Sequence, residues 1–248
     1  MPKERLDVAL VNRGLVESRA KAQALIMSGL VYSGETKLTK AGAPIKEDQP
    51  LTVRGADHPW VSRGGMKLEK GIETFSPKTD SIIALDIGSS TGGFTDVLLQ
   101  GGAAKVYAVD VGRGQLAWKL RSDDRVIVLE KTNARHLTED QVPEQVDAVV
   151  CDASFISLEK VLPTPLGFLK PGGWCCALIK PQFEVGKGEV GKGGVVRDPE
   201  LHQRVCDQIE AWFRDNQGFD VLGIVESPIK GPEGNIEFLI MAVKPAVS

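Results

Sequence analysis

Cysteine is scarce in this chain, and its spacing excludes two structural devices. Only four of the 248 residues are cysteine. Cys175 and Cys176 are adjacent, Cys151 lies inside an apolar run, and nothing has Cys-x-x-Cys spacing. A zinc clip and a disulfide framework are therefore not expected, and no metal set is predicted. Buried, reduced thiols fit a cytoplasmic protein. Long apolar runs are missing too. No stretch approaches the roughly 18 to 20 uninterrupted apolar residues that span a bilayer, and Met1-Pro2-Lys3-Glu4-Arg5-Leu6-Asp7 has no apolar signal segment. The expectation is a cytoplasmic protein without a membrane partner. A surplus of positive charge is also absent. The formal net charge is −3, so any nucleic-acid contact must come from local patches. What is present, 42% hydrophobic and 25% charged residues, is ordinary for a globular chain. The length suits one large domain, or a small one followed by a mid-sized one.

The chain is organised around Ile82-Ile83-Ala84-Leu85-Asp86-Ile87-Gly88-Ser89-Ser90-Thr91-Gly92-Gly93-Phe94. An apolar run ends in an acid, a glycine-rich turn follows, and a helical segment comes next. This is a buried parallel strand feeding a helix through a tight turn. Such turns let a ligand lie against backbone N–H groups at the carboxyl end of a sheet. A phosphate-binding Walker A loop needs Lys-Ser/Thr after its last glycine, but Phe94-Thr95 follow Gly93. The dinucleotide fingerprint fails at its second glycine, where Ser90 stands. An acid before the first glycine suits a ligand with a positive group. Asp-x-Gly-x-x-x-Gly-Gly resembles motif I of methyltransferases that use S-adenosylmethionine (SAM), whose ammonium and sulfonium are both cationic.

Residues 4–54 differ in character. Arg5 to Val11 reads as a short helix closed by Gly14, with Leu6, Ala9 and Leu10 on one face. Ser18 caps a second helix, Arg19 to Ser28, with Ala22, Leu25 and Ile26 inward. Short strands and turns follow to Val53. From Lys3 to Arg54 there are nine cations and six acids, a local +3 in a −3 chain. Arg5, Arg13, Arg19 and Lys21 are candidate grips on RNA phosphates, although such a cluster is equally a solvated helix face. Arg-Leu-Asp near the start, Gly-Leu-Val-Glu-Ser-Arg-Ala-Lys-Ala and Lys46-Glu47-Asp48 before Leu51-Thr52-Val53 together resemble the S4 RNA-binding domain. The resemblance implies docking on structured RNA through shape and phosphates. The domains are expected at 1–56 and 63–248, joined by a linker at 57–62 that contains His58.

Beyond Ser81 the chain alternates strand and helix, as a doubly wound sheet should. Val106 to Asp110 is a strand ending in an acid placed to accept ribose hydroxyls. Val126 to Leu129 is a third strand, with Asn133 and Ala134 following where an adenine would lie. Asp147 to Asp152 is a fourth, and Trp174 to Lys180 a fifth after a turn at Leu169 to Gly173. Val221 to Val225 and Ile236 to Val243 complete seven. The segment from Gly186 to Gly194 nearly spells a Walker A loop but has Gly193 where Ser/Thr is required. It reads as a mobile loop whose Lys187 and Lys192, with Arg63 before the domain's first helix, could meet RNA.

Lys67 opens that first helix, while Asp152, Lys180 and Glu237 sit at strand ends or on strands bordering the cleft. In chain order these four match the Lys-Asp-Lys-Glu tetrad of FtsJ-like ribose 2′-O-methyltransferases. With Ser-Arg-Gly-Gly-Met-Lys-Leu, Asp-Ala-Ser-Phe-Ile-Ser and Ile-Lys-Pro-Gln-Phe-Glu also in place, residues 4 to 244 resemble the TlyA family, which joins S4 and FtsJ-like domains. The resemblance implies a Rossmann-like α/β methyltransferase domain behind a small α+β S4-like domain. It implies SAM as cofactor, and ribosomal RNA or ribosomal subunits as partner, with a cytidine ribose as target. Asp86, Gly88, Ser90 and Gly92 would hold the methionine end of SAM, Asp110 its ribose, and Asn133 and Ala134 its adenine. Lys180 is the candidate base for the 2′-OH. An ordinary lysine is protonated at neutral pH; Lys67 and burial favour the free amine, whereas Asp152 and Glu237 favour the ammonium.

Rival readings are open to test. Amino-group methylation uses Asn/Asp-Pro-Pro-aromatic after the fourth strand, and Asp152-Ala153-Ser154-Phe155 lacks both prolines. Carbon-5 methylation needs a nucleophilic cysteine, for which Cys151 would be the candidate. A cytolysin, which the family's older haemolysin label suggests, would need an amphipathic membrane helix that the sequence does not offer. An RNA-binding module with an inactive enzyme half sits poorly with an intact tetrad.

Overall fold

The computed structural model describes residues 3–246 apart from 14, 17, 47, 48, 54–57, 187 and 232. Gly14, Lys187, Glu47 and Asp48 thus lie outside the described residues. The chain divides into two compact units, Met1–Pro59 and Trp60–Ser248.

In the smaller unit, helices Leu6–Asn12 and Arg19–Met27 pack over short strands. Strand Lys3–Arg5 pairs antiparallel with Pro44–Lys46, and Val31–Ser33 pairs with both Thr36–Lys37 and Thr52–Val53. Ser18 caps the second helix by accepting from the backbone N–H of Lys21. Leu6, Ala9, Leu10, Ala22 and Ile26 form its core with Val31 and Ile45. Leu25, expected inward, is only partly buried at the edge of that core.

The larger unit is a seven-stranded sheet. In chain order its strands are β1 (Ile83–Ile87), β2 (Lys105–Val109), β3 (Val126–Leu129), β4 (Val146–Cys151), β5 (Leu169–Ile179), β6 (Asp220–Glu226) and β7 (Phe238–Val243). Their spatial order is β6-β7-β5-β4-β1-β2-β3, with β7 antiparallel to both of its neighbours and the rest parallel. The strand order reverses between β1 and β4, which opens a crevice at their carboxyl ends. Helices α1 (Gly64–Phe75) and α2 (Gly93–Gln100) pack on one face, and α3 (Pro199–Ala211) on the other.

Period-2 alternation decides which side chains meet. Leu85, Ile87, Val149, Cys151, Cys175, Ala177, Ile179 and Ile240 face the α3 side. Ala84, Ala148, Val150, Cys176, Leu178, Leu239 and Met241 face the α1 side. Continuing that parity by one or two residues puts Asp86, Asp152, Lys180 and Glu237 on the α1 side. Lys67 is buried on the sheet-facing side of α1 with Leu68 and Gly71, since residues four apart share a helix face. Gly71 lets the helix lie close, because an added Cβ would come 3.0 Å from Cys176 Sγ.

Three boundaries differ from the sequence reading. Helix α1 begins at Gly64, so Lys67 falls within its first turn rather than opening it. The Leu169–Gly173 turn is counted within β5 as an irregular start. Pairing with β4 shifts register between Leu169 and Trp174, and Gly172 has φ +77°. Trp60 and Val61, placed in the join by sequence, pack against the larger unit's core. The Trp60 indole donates to Glu69, and the Val61 N–H donates to Asp96 Oδ2 at 2.8 Å.

Candidate active site

A cleft of about 820 Å³ opens at the carboxyl edge of the sheet, lined by Arg63, Lys67, Gly88, Ser90, Asp152, Lys180 and Glu237 among others. A second cavity of about 450 Å³ holds Asp110, Asn133 and Ala134 in its wall. Gly88, Ser90, Asp152, Ser154 and Phe155 border both.

The four tetrad side chains meet in the larger cleft. Lys67 Nζ lies 2.8 Å from Glu237 Oε2 and 3.6 Å from Asp152 Oδ2. Lys180 Nζ lies 2.6 Å from Asp152 Oδ1, and it donates to Ser154 Oγ at 2.8 Å and to the Asp152 carbonyl at 3.1 Å. The register explains part of this: Ile179 pairs with Phe238, so Lys180 and Glu237 are the next residues out at the same edge. Asp152 is the shared member, placed between two ammonium groups. Two cations and two carboxylates make the cluster neutral overall, the condition under which buried charge is tolerated. Gln182 adds a bond from Nε2 to Glu237 Oε1 at 3.3 Å.

The glycine-rich turn is shaped as a cradle. Gly88, Ser90 and Gly92 all have positive φ, at +78°, +47° and +98°. A Cβ on Gly88 would sit 3.0 Å from the Ala153 backbone, so no side chain fits where β1 passes the end of β4. Asp110 ties the turn to β2: its Oδ2 accepts from the Ser90 N–H at 2.8 Å, and its Oδ1 from the Gly112 N–H at 2.7 Å. Asn133 is exposed and its side chain accepts from the Arg135 N–H, while Ala134 is buried beside it.

Several sequence expectations need correction or relocation. Asp86 and Gly92 line neither cavity. Asp86 is fully buried beneath the turn, where strand parity aims it at α2 and Thr95 Oγ1 donates to its Oδ2 at 2.6 Å. Its Oδ1 is buried without a hydrogen-bond partner, and burial pushes its pKa up to about 7. Arg13 does not join Arg19 and Lys21, because its guanidinium donates to the carbonyls of Gln49 and Lys46 and braces the fold. Arg5 and Arg19 converge on Asp7. Arg63 lines the larger cleft, and Lys192 is exposed on a loop whose Val190, Gly193 and Gly194 line it. Cys151 faces the α3-side core with its thiol pushed up to about 12 by burial, which removes it as a cysteine nucleophile.

Sequence reasoning missed Ser154, Gln182 and Phe155. Phe155 is 89% exposed and holds φ +65°, an unusual combination for an aromatic residue. Its ring centroid lies 5.0 Å from that of Phe183. The one available signal was position, three residues past the acid that ends β4.

Residues 60–244 match the FtsJ-like methyltransferase family, and residues 4–50 the S4 domain. The chain belongs to the FtsJ-like methyltransferase family. Its larger unit has that family's Rossmann-like SAM-dependent methyltransferase fold, and its smaller unit is an S4 domain. It is 52% identical over 239 residues to a Bacillus subtilis protein named "Putative rRNA methyltransferase YqxC", covering 96% of this chain and 85% of that one. It is 46% identical over 237 residues to the "16S/23S rRNA (cytidine-2'-O)-methyltransferase TlyA" of Mycobacterium tuberculosis, covering 95% and 88%. A solved structure named "Putative hemolysin from Streptococcus thermophilus" superposes with a TM-score of 0.77 at 44% identity, covering 99% of this chain and 90% of that one. Among the described residues no helix is long and apolar enough to cross a membrane.

Proposed function

We propose that this chain methylates the ribose 2′-OH of a cytidine in ribosomal RNA, using SAM, in the cytoplasm. The observation that carries the reading is the neutral Lys67–Asp152–Lys180–Glu237 cluster where the two cavities meet. The smaller cavity fits an adenosine: Asp110 supplies a carboxylate for ribose hydroxyls, and Asn133 and Ala134 form the adenine wall. The Gly88 cradle leaves space for the methionine end, with Ser90 at its rim. When bound, SAM supplies an electrophilic methyl group on a sulfonium.

The chain's residues must then ready the nucleophile. A ribose hydroxyl attacks only as its proton leaves, so a base has to stand beside it. Lys180, having released its ammonium proton to the water of the open cleft, takes the hydroxyl proton on Nζ. Asp152 and Ser154 fix where Nζ sits. Lys67 balances Asp152 and Glu237, and Gln182 holds the far oxygen of Glu237. Arg63 and Lys192 contribute phosphate contacts from this unit, and Arg5, Arg19 and Lys21 from the S4 domain.

Phe155 fits a platform for the target base. Single-stranded bases stack on aromatic faces, worth about 1–3 kcal/mol each, and left-handed backbone at a bulky residue clusters at functional sites. Phe155→Ala is expected to lower kcat/KM for RNA by about 10- to 100-fold, with Phe155→Tyr restoring most of it. An Ala variant with unchanged RNA kinetics would remove Phe155 from the site.

The function itself is tested by transfer of labelled methyl from SAM to ribosomal subunits and purified rRNA, followed by digestion to nucleosides. Label in 2′-O-methylcytidine is the expected result. Label in a base would retain the SAM chemistry and refute the ribose assignment.

A further inference from the structure

Part of the larger cleft's wall is built from two loops that share one buried amide. The first loop precedes α3 and brings Val190, Gly193 and Gly194 to the cleft. The second joins β6 to β7 and brings Ile229, Lys230 and Gly231. Asn235 lies in the second loop, is 1% exposed, and bonds to the first. Its Oδ1 accepts from the Val196 N–H at 2.9 Å, and its Nδ2 donates to the Gly194 carbonyl at 2.9 Å. The side-chain amide thus pairs with residues 194 and 196 as the backbone of a neighbouring strand would. Its own carbonyl accepts from the Gly231 N–H at 2.9 Å, which closes the second loop on itself. From α3, His202 reaches the same segment, with Nε2 2.9 Å from the Val196 carbonyl. A carbonyl only accepts, so that nitrogen carries a proton and donates.

Neither side chain lines the cleft. Both act on the loop that does. An added Cβ at Gly193 or Gly194 would meet nothing within 4 Å, so this stretch faces open space. It takes its position from Val195 and Val196, which are buried. The tetrad has supports of its own. Glu237 keeps Lys67, Gln182 and the Ser227 N–H, which donates to its carbonyl at 2.9 Å. The smaller cavity draws no residue from either loop. Loss of the Asn235 bonds would therefore free the wall without moving the base or the cofactor.

We propose that Asn235 is a positioning residue for the RNA substrate, fixing the two-loop wall against which the target strand lies, with His202 as its second anchor. This rests on the methyltransferase reading above. A wall fixed in advance loses little entropy when RNA arrives, whereas a released wall must be ordered by the RNA itself. That cost falls on substrate binding. Once RNA is bound the wall is in place, so the chemical step proceeds as before.

The test measures steady-state methyl transfer by the full chain, on whichever of ribosomal subunits or purified rRNA the wild type labels, with SAM affinity measured alongside. Asn235→Ala is expected to raise KM for RNA about tenfold, the worth of one or two hydrogen bonds, with kcat within about threefold and SAM affinity unchanged. His202→Leu, which fills the core but loses the donor, is expected to raise KM about threefold. His202→Gln, whose Nε2 can stand where the imidazole Nε2 stood, should restore it. A residue that merely supports folding would lower Tm and the active fraction, hence kcat, and leave KM alone. Wild-type KM in folded Asn235→Ala overturns the proposal, as does a fall in kcat at constant KM or a parallel loss of SAM affinity. Should Asn235→Ala fail to fold, the His202 pair decides: unchanged KM in His202→Leu, or no recovery in His202→Gln, overturns it equally. If the wild type labels neither substrate, the methyltransferase reading falls and takes this proposal with it; wild-type turnover with indifferent variants refutes the wall alone.

Discussion

Lys180→Ala is expected to lower methyl transfer by about 10²- to 10⁴-fold, the usual contribution of a positioned acid–base group, while SAM and RNA still bind. The expectation follows from how Nζ is held. It is only 6% exposed as a residue, and its partners are Asp152 Oδ1, the Asp152 carbonyl and Ser154 Oγ. None of these oxygens can take a proton from a sugar hydroxyl in its place without a large loss of basicity. The truncation leaves Asp152 with Lys67 at 3.6 Å, and the partly exposed carboxylate can recruit water, so the sheet edge should persist. Lys180→Arg separates two roles that Ala merges. A guanidinium keeps the positive charge but has no accessible lone pair at neutral pH. If Lys180 acts as the base, Arg is as inactive as Ala. If it serves only to neutralise Asp152, Arg recovers much of the rate. Single-turnover rates, with SAM and RNA affinities measured alongside, decide between them, and an active Arg variant sinks the base assignment.

Much of this site was legible because strand ends are easy to read. Asp110 and Asp152 each terminate an apolar run, and β1, β2 and β4 carry them, or their equivalents, to one edge of the sheet. Parity is readable too. Counting by twos from Ala84 aims Asp86 at the α2 side, and the structure places it beneath the turn instead of on the cavity wall. Other features depend on chain closure that no local pattern encodes. Ser154 reaches Lys180 across 26 residues, and Gln182 reaches Glu237 across 55. Asp7 carries no mark of its partners in the Arg-Leu-Asp stretch, yet Arg19 and Gln23 on the next helix donate to it. Phe155 gave no signal beyond its position, because its left-handed backbone belongs to the loop after β4 and is not a preference of phenylalanine.

Asp86 should make SAM binding depend on pH near neutrality. Its pKa is pushed up to about 7, first by burial; the Thr95 hydroxyl opposes the shift, and the charges of Asp152 and Asp110 add to it. Those two carboxylates line the cavities, so charge in the cavities is felt at Asp86. A cation placed there acts with the opposite sign and lowers the pKa. SAM binding is therefore expected to release a proton below pH 7, and its affinity to rise as pH rises toward 7 and then level off. Folding carries the same linkage in reverse. From about pH 4 to 7 the unfolded chain has ionised this group while the folded chain keeps it protonated. Its contribution to stability is thus fully present below pH 4 and is lost as pH rises through 7, at up to about 1.4 kcal/mol per pH unit. Asp86→Asn keeps an acceptor for Thr95 and cannot ionise. It should flatten both profiles and abolish proton release, read by calorimetry of SAM binding in buffers of different ionisation enthalpy. Proton release that survives in Asp86→Asn would assign the linkage to another group, and a flat wild-type profile would show that Asp86 is already ionised before SAM arrives.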